Sequence, residues 1–100
     1  MIAALLIAAP AAASGPDAWS KFDGEVRAAC ITASKFRNAQ TSSVIGFDDR
    51  VGKVALLVSG IWPQPHMKGA RGTMLCLYDK RGRDAFVDEA KGWSAVDDRR

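Results

Sequence analysis

Two cysteines, Cys30 and Cys76, are the only thiols in the chain. They are far apart, with no C-x-x-C pair of the kind that cysteine metal sites use. In a chain that leaves the cytoplasm, an even number of cysteines reads first as a disulfide. Closing the loop from residue 30 to residue 76 would remove about 4 kcal/mol of unfolded-state entropy. A domain of this size is stable by only ~5 kcal/mol or somewhat more, so the bond decides whether the chain folds. Two separate buried thiols are the alternative if the chain stays in a reducing compartment.

The amino-terminal sequence favours export. Residues 1–13, MIAALLIAAPAAA, carry no charge and no hydrogen-bonding side chain. The apolar run from Ile2 to Ala9 matches the core of a signal peptide and falls well short of the ~20 residues that span a bilayer. Pro10 breaks the run, and Ala11-x-Ala13 supplies small residues for cleavage before Ser14; Ala12-x-Ser14 would place the cut before Gly15. No Lys or Arg precedes Lys21, so the basic start of a signal peptide is represented by the amino terminus alone or lies upstream. A buried helix of the mature fold and a retained anchor are the competing readings. Cleavage leaves about 86 residues, a size at which a crosslink is a common aid to stability. The division is therefore an export segment, 1–13, and one small domain, 14–100, in the periplasm or outside the cell, with no stable membrane span after cleavage.

Gly15-Pro16-Asp17 is a helix-start cluster, because proline suits the first turn and an acid suits the positive end of the helix dipole. Trp19, Phe22, Val26, Cys30 and Ala33 then recur at spacings of three and four, which predicts an amphipathic helix over about 17–35 with Cys30 on its apolar stripe. Arg37 to Ser43 reads as polar loop. Val44 onward turns to strand patterning: a short strand at 43–47, a turn at Asp48–Gly52, and the apolar stretch Lys53 to Trp62, whose two apolar faces argue a central position. Pro63–Gly72 reads as an irregular loop, Thr73–Asp79 as a third strand, and Asp84–Glu89 as a fourth. The fold class is α+β, one N-terminal helix packed on a roughly four-stranded antiparallel meander.

A Cys30–Cys76 bond would fix which face of the sheet the helix covers. Met74, Cys76 and Tyr78 share one face of their strand and Leu75 and Leu77 the other. One helix cannot shield both faces. The second would then be an exposed apolar patch suited to a protein partner or to a second copy of the chain, unless the segment carrying Trp93 folds back over it.

Other candidates are fewer. Trp62, Pro63, Gln64, Pro65, His66 and Met67 form a stiff, chemically varied stretch, read as a recognition loop or else as a long connection with Trp62 at the core edge. His66 and Met67 alone are too few ligands for a copper site, and no metal or cofactor is expected. Asp48, Asp49, Asp79 and Asp84 gather with Arg50, Lys80, Arg81 and Arg83 at the turns, where solvated ion pairs are expected. A net charge of +3, from 14 basic and 11 acidic residues, is too small and too interleaved to argue nucleic acid. No nucleophile motif or nucleotide fingerprint occurs, which disfavours an enzyme.

Ser59-Gly60-Ile61-Trp62 resembles the Ser-Gly-x-x-Tyr motif of periplasmic inhibitors of c-type lysozyme, with Trp in place of Tyr. The resemblance implies a β-barrel whose motif enters the lysozyme cleft. It spans four residues, and the early helix and the following prolines depart from it, so no site residue is carried over. The expectation is thus a small exported non-catalytic binding protein, with a homodimeric structural protein of the envelope or an inhibitor of a cell-wall hydrolase as alternatives.

Overall fold

A computed structural model describes residues 15–93; the expected export segment lies outside the described residues. The order of elements is a helix α1 (Pro16–Ser34), strands β1 (Arg37–Thr41), β2 (Ile45–Gly46) and β3 (Lys53–Ile61), a 3-10 turn at Pro65–Met67, then β4 (Arg71–Asp79) and β5 (Asp84–Glu89). One helix packs against an antiparallel sheet, the α+β arrangement expected.

The ends of α1 follow from local chemistry. Gly15 is the extended N-cap, and its carbonyl accepts from the N–H groups of Ala18 and Trp19 at 3.1 and 3.2 Å, while Pro16 needs no partner for a missing donor. At the other end Lys35 turns left-handed, φ 63°, and donates to the Thr32 carbonyl. Ser34, buried, donates its hydroxyl to the Ile31 carbonyl and accepts from the Phe36 N–H, so the chain turns off the helix with its polar groups satisfied. Val26, Cys30 and Ser34 form the buried stripe at intervals of four. Trp19 departs from the expected stripe and is 61% exposed. It borders a shallow groove with Ala18, Phe22 and Lys80, so it stands level with the turn after β4 rather than over a strand.

The sheet runs β1-β3-β4-β5, with β2 also paired to β3 beyond β1. β3 is therefore central, as its two apolar faces predict. Its longest ladder, from Lys53 opposite Asp79 to Ile61 opposite Arg71, is unbroken over nine pairs. β5 pairs with β4 from Met74–Glu89 to Asp79–Asp84.

Arg37–Ser43, expected as loop, is where the structure differs most. Residues 37–41 form an edge strand whose order comes from backbone pairing to β3 and not from apolar alternation. A register shift between Arg37 and Gln40, with Asn38 at φ 51°, bends this edge. Arg27 on α1 pins it, donating to Thr41 Oγ1 at 2.7 Å and to the Ser42 carbonyl at 3.1 Å. Ser42 bridges the gap to β2: its N–H donates to the Leu57 carbonyl, and its hydroxyl accepts from the Leu57 N–H. The expected strand at 43–47 shrinks to the two residues of β2. β4 starts at Arg71, two residues earlier than the pattern suggested.

Cys30 and Cys76 are bonded, with Cα atoms 5.9 Å apart and neither residue exposed. Val26, Cys30, Phe36, Val54, Leu56, Val58, Cys76 and Tyr78 make up the core, all between the helix and the inner face of the sheet. The disulfide fastens the middle of α1 to the middle of β4.

Candidate functional site

The inner face is full. Gly60 and Gly72 are paired across β3 and β4, and two rings lie over this rung. A side chain at Gly60 would meet Phe36 at 2.5 Å, and one at Gly72 would collide with the indole of Trp62. The two rings pack edge to face with centroids 4.8 Å apart. Trp62 is thus half-buried at the core edge. Pro63, Gln64, Pro65 and His66 are exposed, and Met67 is half-buried. The loop is tightly folded: Met67 N–H donates to the Gln64 carbonyl, Ala70 N–H to Met67, and Trp62 N–H to Ala70. Ser59 and Gly60, the start of the lysozyme-inhibitor-like stretch, lie within β3 and not on a projecting loop. The Ser59 hydroxyl is 3.3 Å from that of Thr73 across the sheet.

The outer face has the opposite character. Alternation along the strands, with the registers above, places Ile45, Ala55, Leu57, Leu75, Leu77 and Phe86 on it. Ile45 is 59% exposed, Phe86 57% and Leu77 36%. Phe47, just beyond β2, is exposed as well. Among the described residues no helix or strand layer covers this side. Trp93 reaches it in part. Ala90 N–H donates to the Thr73 carbonyl, Gly92 takes φ 82°, and the chain then turns so that Trp93 borders a groove of about 380 Å³ with Ser42, Ser43, Ile45, Ala55, Leu57 and Leu75. The indole remains 62% exposed, so it forms one wall of the groove and not a lid. Among the described residues the face is an open apolar patch with Trp93 standing beside it; the rest of the C-terminal segment expected to fold back lies outside the described residues.

Leu75 and Leu77 were legible as members of this patch from strand alternation. Ile45 and Phe86 were not, because only the registers of β2 with β3 and of β4 with β5 bring them onto it. The signal in sequence is slight: Phe86 alternates with Asp84 and Asp88, two residues away on either side, while its immediate neighbours Ala85 and Val87 are apolar as well.

Charge is arranged at the ends of this face. Arg37 and Arg71 flank Ile61 at one end, and Lys53, Asp79 and Asp84 occupy the other. The neighbouring turns hold the expected surface pairs. Arg50 meets Asp48 at 3.1 Å and Lys80 meets Asp49 at 3.8 Å. The Arg50 side chain, helped by the Arg50 N–H, holds the Asp48 carboxyl below its ordinary pKa. Both pairs are solvated and contribute little to stability. Among the described residues no three His, Cys, Asp or Glu side chains converge, and no helix is long and apolar enough to cross a membrane.

What the arrangement can do chemically is bind by desolvation. Exposed aromatic and aliphatic side chains on a rigid sheet form a contact surface, and the charged groups at its ends would orient whatever docks there. No family model, curated protein or solved structure matches the chain.

Proposed function

We propose that the chain is a small exported protein, periplasmic or secreted, that acts by burying the outer face of its sheet against a protein partner and not by catalysis. The observation that carries this reading is the asymmetry of the fold. One helix, crosslinked to the inner face, completes a core there, while Ile45, Leu77 and Phe86 remain open on the other side. Phe86 and Trp93 leave about 250 Å² of aromatic surface exposed, at about 150–250 Å² for a whole side chain. With Ile45 and Leu77 the patch has the size of those that on monomers are often functional. The disulfide accords with an oxidising compartment, and the apolar leader is what would take the chain there.

Photo-crosslinking tests the reading. Benzoylphenylalanine placed at Phe86 in intact cells is expected to give a discrete adduct, while the same group at Ala28, exposed on the helix, gives none. No adduct at Phe86, or equal adducts at both positions, would overturn it.

A further inference from the structure

We propose that the end of the molecule carrying the loop between β3 and β4 docks on an anionic lipid bilayer, with the loop tip and the cations around it among the phosphate headgroups. The contact is independent of whatever partner the outer face binds and uses a different part of the molecule.

Three stretches of chain meet at this end: residues 34–38 after the helix, 60–73 around the loop, and 90–92 after β5. The Phe36 ring packs against Trp62, and Ala90 N–H donates to the Thr73 carbonyl, which brings the first and third stretches onto the second. Together they hold Lys35, Arg37, Lys68, Arg71 and Lys91, with His66, and no Asp or Glu. The nearest acid, Glu89, pairs with Met74 one rung further back. These cations are all exposed, and none has an ion-pair partner among the described residues.

The opposite end is built otherwise. Asp48, Asp49, Asp79 and Asp84 are interleaved there with cations, and the pairs Arg50–Asp48 and Lys80–Asp49 close between them. The molecule is thus positive at one end and nearly balanced at the other, a field that turns it loop first toward an anionic surface. Helix-end electrostatics accounts for Lys35, which closes α1. It does not account for Arg37 and Arg71, which begin strands, or for Lys91 beyond β5. Gathering like charges costs self-repulsion, which an anionic surface removes.

The shape of this end favours a fluid surface over a rigid one. Trp62 N–H donates to the Ala70 carbonyl, so the ladder continues one rung past Ile61–Arg71 and residues 63–69 lie beyond it. The tip, Pro63 to Met67, carries no Lys, Arg, Asp or Glu. Lys35, Arg37, Arg71 and Lys91 stand behind it on separate elements, spread about 15 Å across the strands. A rigid acidic surface that met the tip would be held off the cations behind it, and no single small anion serves them all. Mobile headgroups close round the tip, so that phosphates reach every cation together. Docked in this way, the strands stand along the bilayer normal and the outer face stays open to its partner.

Flotation of the full chain, disulfide intact, with phosphatidylcholine vesicles containing about 40% phosphatidylglycerol is the measurement. Binding is expected on these vesicles, absent from pure phosphatidylcholine, and lost as salt rises from about 0.1 to 0.5 M. Each cation near the surface is worth about fivefold, so Lys68→Gln with Arg71→Gln should weaken binding at least about tenfold. Arg81→Gln with Arg83→Gln removes the same charge from the other end and should weaken it less than about threefold. Urea transitions of both double variants check that they fold. No binding, or equal binding to neutral vesicles as adsorption through apolar surface would give, overturns the proposal. Equal losses in the two double variants overturn it as well, because net charge alone would then be at work. Displacement by about 1 mM inorganic phosphate would reveal a discrete anion site, and binding to polyglutamate in place of vesicles an acidic protein partner; either result overturns the lipid contact.

Discussion

Replacing Cys30 and Cys76 together by alanine frees the unfolded chain from a loop closed between residues 46 apart. The entropy regained by the unfolded state corresponds to about 4 kcal/mol at 25 °C. Both sulfurs are fully buried beside Val26, Val58 and Tyr78, and their removal also leaves a small gap there, which adds to the loss. Against a total stability of about 0.05–0.15 kcal/mol per residue, the substitution leaves a folded state that is marginal or absent at 37 °C. In a domain of this size each kcal/mol moves the melting temperature by about 4–8 °C, so a fall of roughly 15–30 °C is expected. Urea unfolding followed by tryptophan fluorescence reads the same quantity, because Trp62 sits against Phe36 at the edge of the core. The chain with intact disulfide and the double variant are compared at equal protein concentration, so that association contributes equally to both. A loss below 1 kcal/mol, with unchanged dependence on urea, would refute the argument. The helix would then be held on the sheet by packing alone.

Three further outcomes follow from named contacts. Gly72→Ala drives a methyl group into the Trp62 indole and is expected to cost about 1–3 kcal/mol, measured by the same unfolding curve. Trp62→Ala should cost about 2–3 kcal/mol, whereas Pro63→Ala and His66→Ala, both exposed, should stay within about 0.5 kcal/mol; equal effects at all three would mean that Trp62 is not part of the core. Asp48 titrates below its ordinary 3.8 because Arg50 stabilises the carboxylate. A carboxyl whose pKa is lowered on folding stabilises the fold above the unfolded-state value and loses that contribution as pH falls through the folded value. Carbon-detected NMR titration should show Asp48 below 3.8 and Arg50→Ala raising it part of the way back, since the backbone N–H at position 50 still donates to it; an unshifted Asp48 in the native chain would contradict the pairing.

The sequence made the helix, the central and third strands, β5 and the crosslink readable for a common reason. In each, local periodicity and tertiary burial agree. Val26 and Cys30 lie on one stripe of α1, and Val54, Leu56 and Val58 on one side of β3, and both sets are core. Strand β1 was hidden because Asn38 and Gln40 are exposed and its order comes from the bulged backbone pairing, Arg27 and Ser42, none of which leaves an apolar pattern. Trp19 misled in the opposite sense: it fits the helical period and still lies beyond the core, since spacing says which way a side chain points and not whether anything stands there. The Gly60–Gly72 rung was also invisible, because strand pairing brings together two glycines 12 positions apart. Of the candidate site, the facing of Leu75 and Leu77 followed from Cys76 once the disulfide was assumed. The partnership of Ile45 and Phe86 with them needed the register.

The exposure of two aromatic side chains in the living cell tests the account most directly. Phe86 on the outer face and Trp19 on the helix are 57% and 61% exposed in the single chain. Hydroxyl-radical labelling of both, in the dilute purified protein and again in intact cells, compares the two sides of the molecule within one experiment. The account predicts that Phe86 becomes strongly protected in cells while Trp19 keeps its labelling; equal labelling of Phe86 in both settings would contradict it.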